Sequence, residues 1–160
     1  MRQPRELFHA RKIDMKEKTI LVVEDDPDQM ELTLITLENI SSGGKIAAVR
    51  DGAEALDYLF GTGSYQSRDT SVQPDVIFLD IKLRKLSGLE VLKRIRSNRR
   101  TAMIPVVMLT SSCEEEDILS AYKNGANSFV RKSVDFQEFT DKLRALHTYW
   151  LSVNIGAPVP

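Results

Sequence analysis

The sequence holds a single cysteine, Cys113, among 160 residues. One thiol excludes an internal disulfide and any multi-cysteine metal site, and it suits a reducing, cytoplasmic setting without a redox role, since three glutamates follow it and oppose thiolate formation. Histidine is nearly as scarce. His9 and His147 have no partner pattern around them, so both are expected to be solvated. Neither sign of charge is in excess: 22 Lys and Arg against 23 Asp and Glu leave a formal net charge of -1. No global basic field draws such a chain to nucleic acid or anionic lipid. No apolar run approaches the roughly 18 residues of a membrane span. The opening stretch "MRQPRELFHARKIDMKEK" lacks the apolar centre of a secretory signal. Residues 1–17 are expected to form a flexible arm, with Met15 as an alternative start.

What is present is 42% hydrophobic and 28% charged, the balance of a soluble globular domain. Short apolar runs alternate with helical patterns. "TILVVE", "KIAAV", "DVIFLD", "IPVVMLT" and "NSFVRK" read as strands. Between them, Met30, Leu34 and Leu37 repeat at helical spacing from Pro27 to about Ile40, after Asp26 as cap and before the stop "SSGG". Asp51 with Glu54, Ser112 with Glu115, and Asp135 with Glu138 stand three apart, the spacing of a capping box. Leu89, Leu92 and Ile95 form the stripe of a third helix. Five strands alternating with five helices give an α/β fold, a parallel sheet covered on both faces. Gly61 to Pro74 is expected to be a surface loop.

Open parallel sheets carry their chemistry beyond the carboxyl ends of the strands. Here the first strand ends in Glu24-Asp25-Asp26, the third in Asp80, the fourth in Thr110 and the fifth in Lys132. Two like charges ~4 Å apart at an effective dielectric near 20 repel by roughly 4 kcal/mol. Such an acidic nest is expected to bind a hard cation, and oxygen donors without His or Cys favour Mg2+. Asp80 can then act as a phosphoryl nucleophile, with Lys132 neutralising the transferring oxygens and Thr110 bonding them.

These motifs together, "LVVEDDP", "FLDIKL", "VVMLTSS" and "GANSFVRK", resemble the receiver domain of two-component response regulators over roughly 18–148. The resemblance implies a flavodoxin-like, doubly wound sheet of strand order 2-1-3-4-5. It implies that a histidine kinase phosphorylates Asp80, and that Asp25 binds Mg2+ directly with Glu24 helping through water. The backbone carbonyl of Lys82 would complete the ligands, Lys132 and Thr110 would hold the phosphoryl group, and Thr110 with Phe129 would switch together. The long loop after the second helix and the tail, 149–160, are similar to stand-alone receivers that serve phytochrome-type photoreceptor kinases. Two departures stand out. Ser133 follows Lys132 where the family has proline, so a trans bond and a displaced loop are expected there. "LRKLSG" replaces the usual Pro and Asp, which implies a more mobile loop.

The resemblance implies a phosphorylation-controlled signalling domain rather than an enzyme. Too little chain follows the last helix for a DNA-binding domain, so the output would be a protein contact or phosphate relay to a downstream carrier. A receiver-like binding module independent of phosphorylation is the alternative. An aspartyl-phosphate phosphatase of the haloacid dehalogenase type would need a second acid where Lys82 stands. The basic run Lys93 to Arg100 reads as the polar face and end of a helix, where cations suit the dipole, rather than as a nucleic-acid patch. Phe139, Leu143, Leu146 and Trp150 recur in alternating fours and threes, which suggests homodimerisation through the last helix and tail.

Overall fold

A computed structural model describes residues 17–40 and 44–158. The expected arm before residue 17, with His9 and Met15, lies outside the described residues, as does most of the "SSGG" stop.

Five strands, β1 (Thr19–Val23), β2 (Lys45–Val49), β3 (Val76–Leu79), β4 (Val106–Thr110) and β5 (Ser128–Arg131), form one parallel sheet of order β2-β1-β3-β4-β5. The helices are α1 (Pro27–Ile40), α2 (Gly52–Phe60), α3 (Gly88–Ser97), α4 (Glu115–Lys123) and α5 (Phe136–Thr148). This is the flavodoxin-like receiver arrangement that the sequence implied.

Alternation along the strands divides the core in two, because successive side chains point to opposite faces. Leu21, Val23, Ile77, Leu79, Val106 and Met108 meet Leu56, Leu59, Leu92 and Ile95 of α2 and α3 on one face. Ile20, Val22, Val76, Phe78, Val107 and Leu109 meet Met30 and Leu37 of α1 and Phe139 and Leu143 of α5 on the other. The central strands are therefore apolar without interruption.

Most helix starts are as expected. The Asp26 carboxylate accepts from the backbone N–H groups of Asp28 and Gln29 at 2.9 and 3.1 Å. Asp51 and Asp135 each accept from the backbone N–H three residues on at 2.8 Å. α4 differs. Its N-cap is Glu114, without a side-chain cap, and the Ser112 hydroxyl instead donates to Asp117 Oδ2 at 2.5 Å. Ser112 is buried, and the helix starts three residues later, so its hydroxyl does not cap it.

The segment from Gly61 to Pro74 is an ordered surface loop with a short 3-10 turn at Gly63–Tyr65. Arg68 lies 4.0 Å over the Tyr58 ring and donates to the carbonyls of Tyr58 and Val72, while Gln73 donates to the Leu59 carbonyl. The basic run also holds an internal clamp. Arg96 is half-buried and donates to the carbonyls of Gly125, Ala102 and Ile104 and to Asn127 Oδ1, joining α3 to the loops that lead into β4 and β5.

His147 departs from its expected solvation. One turn after buried Leu143, it is half-buried, its Nε2 has no hydrogen-bond partner, and burial lowers its pKa. α5 runs on into a π turn, Tyr149–Val153.

Candidate functional site

The strand order reverses between β1 and β3, which opens a crevice at their carboxyl ends. Glu24 and Asp80 are the first residues past those two strands, and register pairs Val23 with Leu79 just before them. The Asp80 N–H donates to the Val23 carbonyl at 3.2 Å, so the two acids leave the sheet side by side. Lys132 arrives from the end of β5, anchored by its N–H on the Thr110 carbonyl at 2.8 Å.

Their side chains meet. Lys132 Nζ lies 2.5 Å from Glu24 Oε2 and 2.9 Å from Asp80 Oδ2. All three residues are buried, at 8, 4 and 7% exposure, and a buried charge needs such pairing. Burial alone would raise Asp80, but the charge of Lys132 and hydrogen bonds from Lys132 and Thr110 hold it below the ordinary carboxylate range. Burial works against the Lys132 ammonium too, yet the two acids outweigh it and raise its pKa. Glu24 goes the other way. Burial, with Asp80 adding to it and Lys132 opposing, pushes its carboxyl up from 4.5 to about 7. Two acids share one cation.

Thr110 is buried at 1% exposure, and its hydroxyl oxygen accepts from the Ser112 N–H at 3.2 Å. Lys82 is exposed and its N–H donates to Asp80 Oδ1 at 3.2 Å. Phe129 is half-buried against the core, opposite Met108 of β4.

The expected acidic nest is incomplete. Glu24 and Asp80 converge, but Asp25 sits in the loop beyond β1 and faces Arg84. The Arg84 N–H donates to Asp25 Oδ2 at 3.2 Å, its Nη2 donates to the Asp25 carbonyl at 3.1 Å, and its Nε stands 3.7 Å from Oδ2. Among the described residues, no three acidic, His or Cys side chains are arranged to hold a metal ion. A cleft of about 450 Å³ opens here, lined by residues that include Glu24, Asp25, Arg50 and Arg84.

The loop after β3 is tied down rather than loose. Lys85, at φ 67°, reaches Asp51 Oδ2 at 3.1 Å, and the Ser87 hydroxyl accepts from the Glu90 N–H to cap α3. Gly88 packs so closely on the backbone just past β3 that a Cβ there would fall 1.9 Å from the Asp80 carbonyl oxygen. On the other side of the site, the Lys132–Ser133 bond is trans. Ser133 joins the α5 cap, its hydroxyl donating to Glu138 Oε2 at 2.6 Å and accepting from the Asp135 N–H at 3.2 Å.

Sequence reading found Glu24, Asp80, Thr110 and Lys132 from their strand-end positions. The partners of Asp25 and Asp51 had one signal in the sequence, the basic run "KLRK" that follows Asp80-Ile81 at the end of β3.

Comparison with known proteins agrees with this geometry. The family model for the response regulator receiver domain matches residues 20–144. Response regulator Rcp1 of Synechocystis is 32% identical over 134 residues, covering 84% of this chain and 89% of Rcp1. The crystal structure of the phosphorylated cyanobacterial phytochrome response regulator RcpA superposes with a TM-score of 0.82 at 33% identity, covering 89% of this chain and 99% of that one. The Mn(2+)-bound form of Rcp1 gives a TM-score of 0.80 at 30% identity, covering 88 and 99%.

Proposed function

The chain belongs to the family of response regulator receiver domains, and on that premise we propose that it accepts a phosphoryl group on Asp80 from a histidine kinase. The observation that carries this reading is the contact of Lys132 Nζ with Asp80 Oδ2 at the switch point of the sheet. Similarity to RcpA and Rcp1 supports a phytochrome-type kinase as the donor.

In the transfer, an Asp80 oxygen attacks the phosphorus of a phosphohistidine. The new P–O bond forms as the P–N bond breaks, and the imidazole leaves and takes up a proton. Asp80 suits this role because its carboxylate is held ionised by Lys132 and Thr110. As the phosphoryl oxygens arrive, Lys132 exchanges its carboxylate contact for them, and the Thr110 hydroxyl turns to donate to one of them. Catalysis of this kind is mostly positioning and charge stabilisation. The donor chemistry around Asp80, carboxylate and carbonyl oxygen alone, fits a hard divalent cation. Asp25, Glu24, Asp80 and the Lys82 carbonyl would hold it, and the Mn(2+)-bound form of Rcp1 supports a metal here. A bound Mg2+ neutralises charge on the transferring group.

The phosphoryl group brings about -1.5 to -2 of charge in place of the single charge of the carboxylate, and it shifts an existing population toward the arrangement in which Thr110 and Phe129 have moved together. The output is a contact with a downstream protein, or relay of the phosphoryl group to another carrier. Among the described residues, no helix is long and apolar enough to cross a membrane, in keeping with a cytoplasmic setting. A second copy of the chain is the proposed partner of the last helix. Tyr149 is exposed at 48%, and with Trp150, Leu146 and Val130 it lines an apolar groove.

Incubation with a small-molecule phosphoryl donor and Mg2+, followed by intact mass, tests the acceptor. One phosphoryl adduct on the wild-type chain and none on Asp80→Asn is the expected result. No adduct under any metal condition would favour a binding module independent of phosphorylation.

A further inference from the structure

We propose that Arg84 is a resident cation on Asp25 that competes with a divalent metal for that carboxylate. The inference rests on the metal reading above and adds a residue that reading does not use.

Three acids stand at the ends of β1 and β3, yet they do not form a cluster. Two of them, Glu24 and Asp80, are gathered by Lys132. The third is gathered by Arg84, which touches Asp25 at two points with its guanidinium, the carboxylate and the main-chain carbonyl. The Arg84 main-chain N–H bonds the same carboxylate oxygen at 3.2 Å, and the guanidinium, with its Nε 3.7 Å away, adds positive charge beside it. The pair remains exchangeable, because the Arg84 side chain is 72% exposed and an exposed ion pair is weak.

A divalent ion that draws on Asp25 and Asp80 together needs the Asp25 carboxylate to leave Arg84. Metal and guanidinium then compete for one acid. Magnesium affinity is therefore set partly by a side chain that is never a ligand, and Arg84 acts as a positioning residue.

Calorimetric Mg2+ titration of the full chain, wild type beside Arg84→Gln and Lys85→Gln, separates the possibilities. Both substitutions remove one positive charge from the same loop, but only the first removes the charge that faces Asp25, the main-chain bond of residue 84 to Oδ2 being kept. Arg84→Gln is expected to bind Mg2+ about fivefold more tightly, the equivalent of one exposed ion pair. Lys85→Gln is expected to change affinity clearly less. On the wild-type chain, the NMR signal of Arg84 Nε–H should shift as Mg2+ saturates, a readout that needs no variant. Equal tightening in both variants would mean a general charge effect and overturn the proposal, as would unchanged affinity in Arg84→Gln. Absence of Mg2+ binding by the wild type would instead bring down the metal reading, and this inference with it.

Discussion

The ammonium of Lys132 lies 2.9 Å from Asp80 Oδ2, although 52 positions separate the two residues in the chain. The same Nζ touches Glu24, 108 positions away. Three strand ends are thus joined by one buried cation, and the site's stability and its chemistry depend on the same contacts. Removing one member of a buried ion pair costs about 3–5 kcal/mol, because the remaining charge has no compensation.

Lys132→Ala should therefore lower unfolding stability by about 3 kcal/mol near pH 8. The loss should be smaller near pH 5, where Glu24 and Asp80 can share a proton. Urea unfolding at the two pH values checks both statements.

Glu24 makes the metal-free protein sensitive to pH. Its folded pKa of about 7 lies above its ordinary 4.5, so the protonated form is favoured by folding. That stabilisation is full below pH 4.5 and is lost as the pH rises through about 7. With a chelator present, wild type should lose on the order of 3 kcal/mol relative to Glu24→Gln across that window. Comparing the two proteins cancels the opposite contribution of His147, whose pKa is lowered.

Gly88→Ala tests the close approach behind the acceptor. A Cβ at 1.9 Å from the Asp80 carbonyl oxygen and 2.8 Å from Ile81 Cα cannot be accommodated by a side-chain shift, since both neighbours are backbone. A loss of about 1–3 kcal/mol is expected. Thermal unfolding measures it, and phosphoryl acceptance should fall with it because Asp80 is displaced.

Tyr149→Glu places a charge in the apolar groove beside Trp150. If that groove is the seat of a second copy, light scattering should give the mass of two chains for wild type and of one chain for the variant.

Much of this site could be read before any coordinates because strand ends in a parallel sheet converge by topology. Glu24, Asp80, Thr110 and Lys132 each directly end a run of β-type residues, so the sheet fixes their positions. Asp25 is one residue further on, in the loop, where no periodicity sets a direction. Its turn toward Arg84 depends on a loop conformation that includes Lys85 in the left-handed region, which composition does not announce. The cap of α4 failed for a similar reason. Ser112 and Glu115 have the right spacing, but the buried hydroxyl found Asp117 first. Apolar stripes revealed the helix faces, whereas buried Thr33 and Thr36 on those faces carry no hydrophobic signal, and His147 was expected in solvent for the same reason.

Borohydride reduction tests the central claim most directly, because it converts an aspartyl phosphate to homoserine and marks the acceptor in the peptide map. After reaction with a phosphoryl donor and Mg2+, the account predicts homoserine at position 80 alone. Homoserine at Asp25 or any other acid, with Asp80 intact, would contradict it.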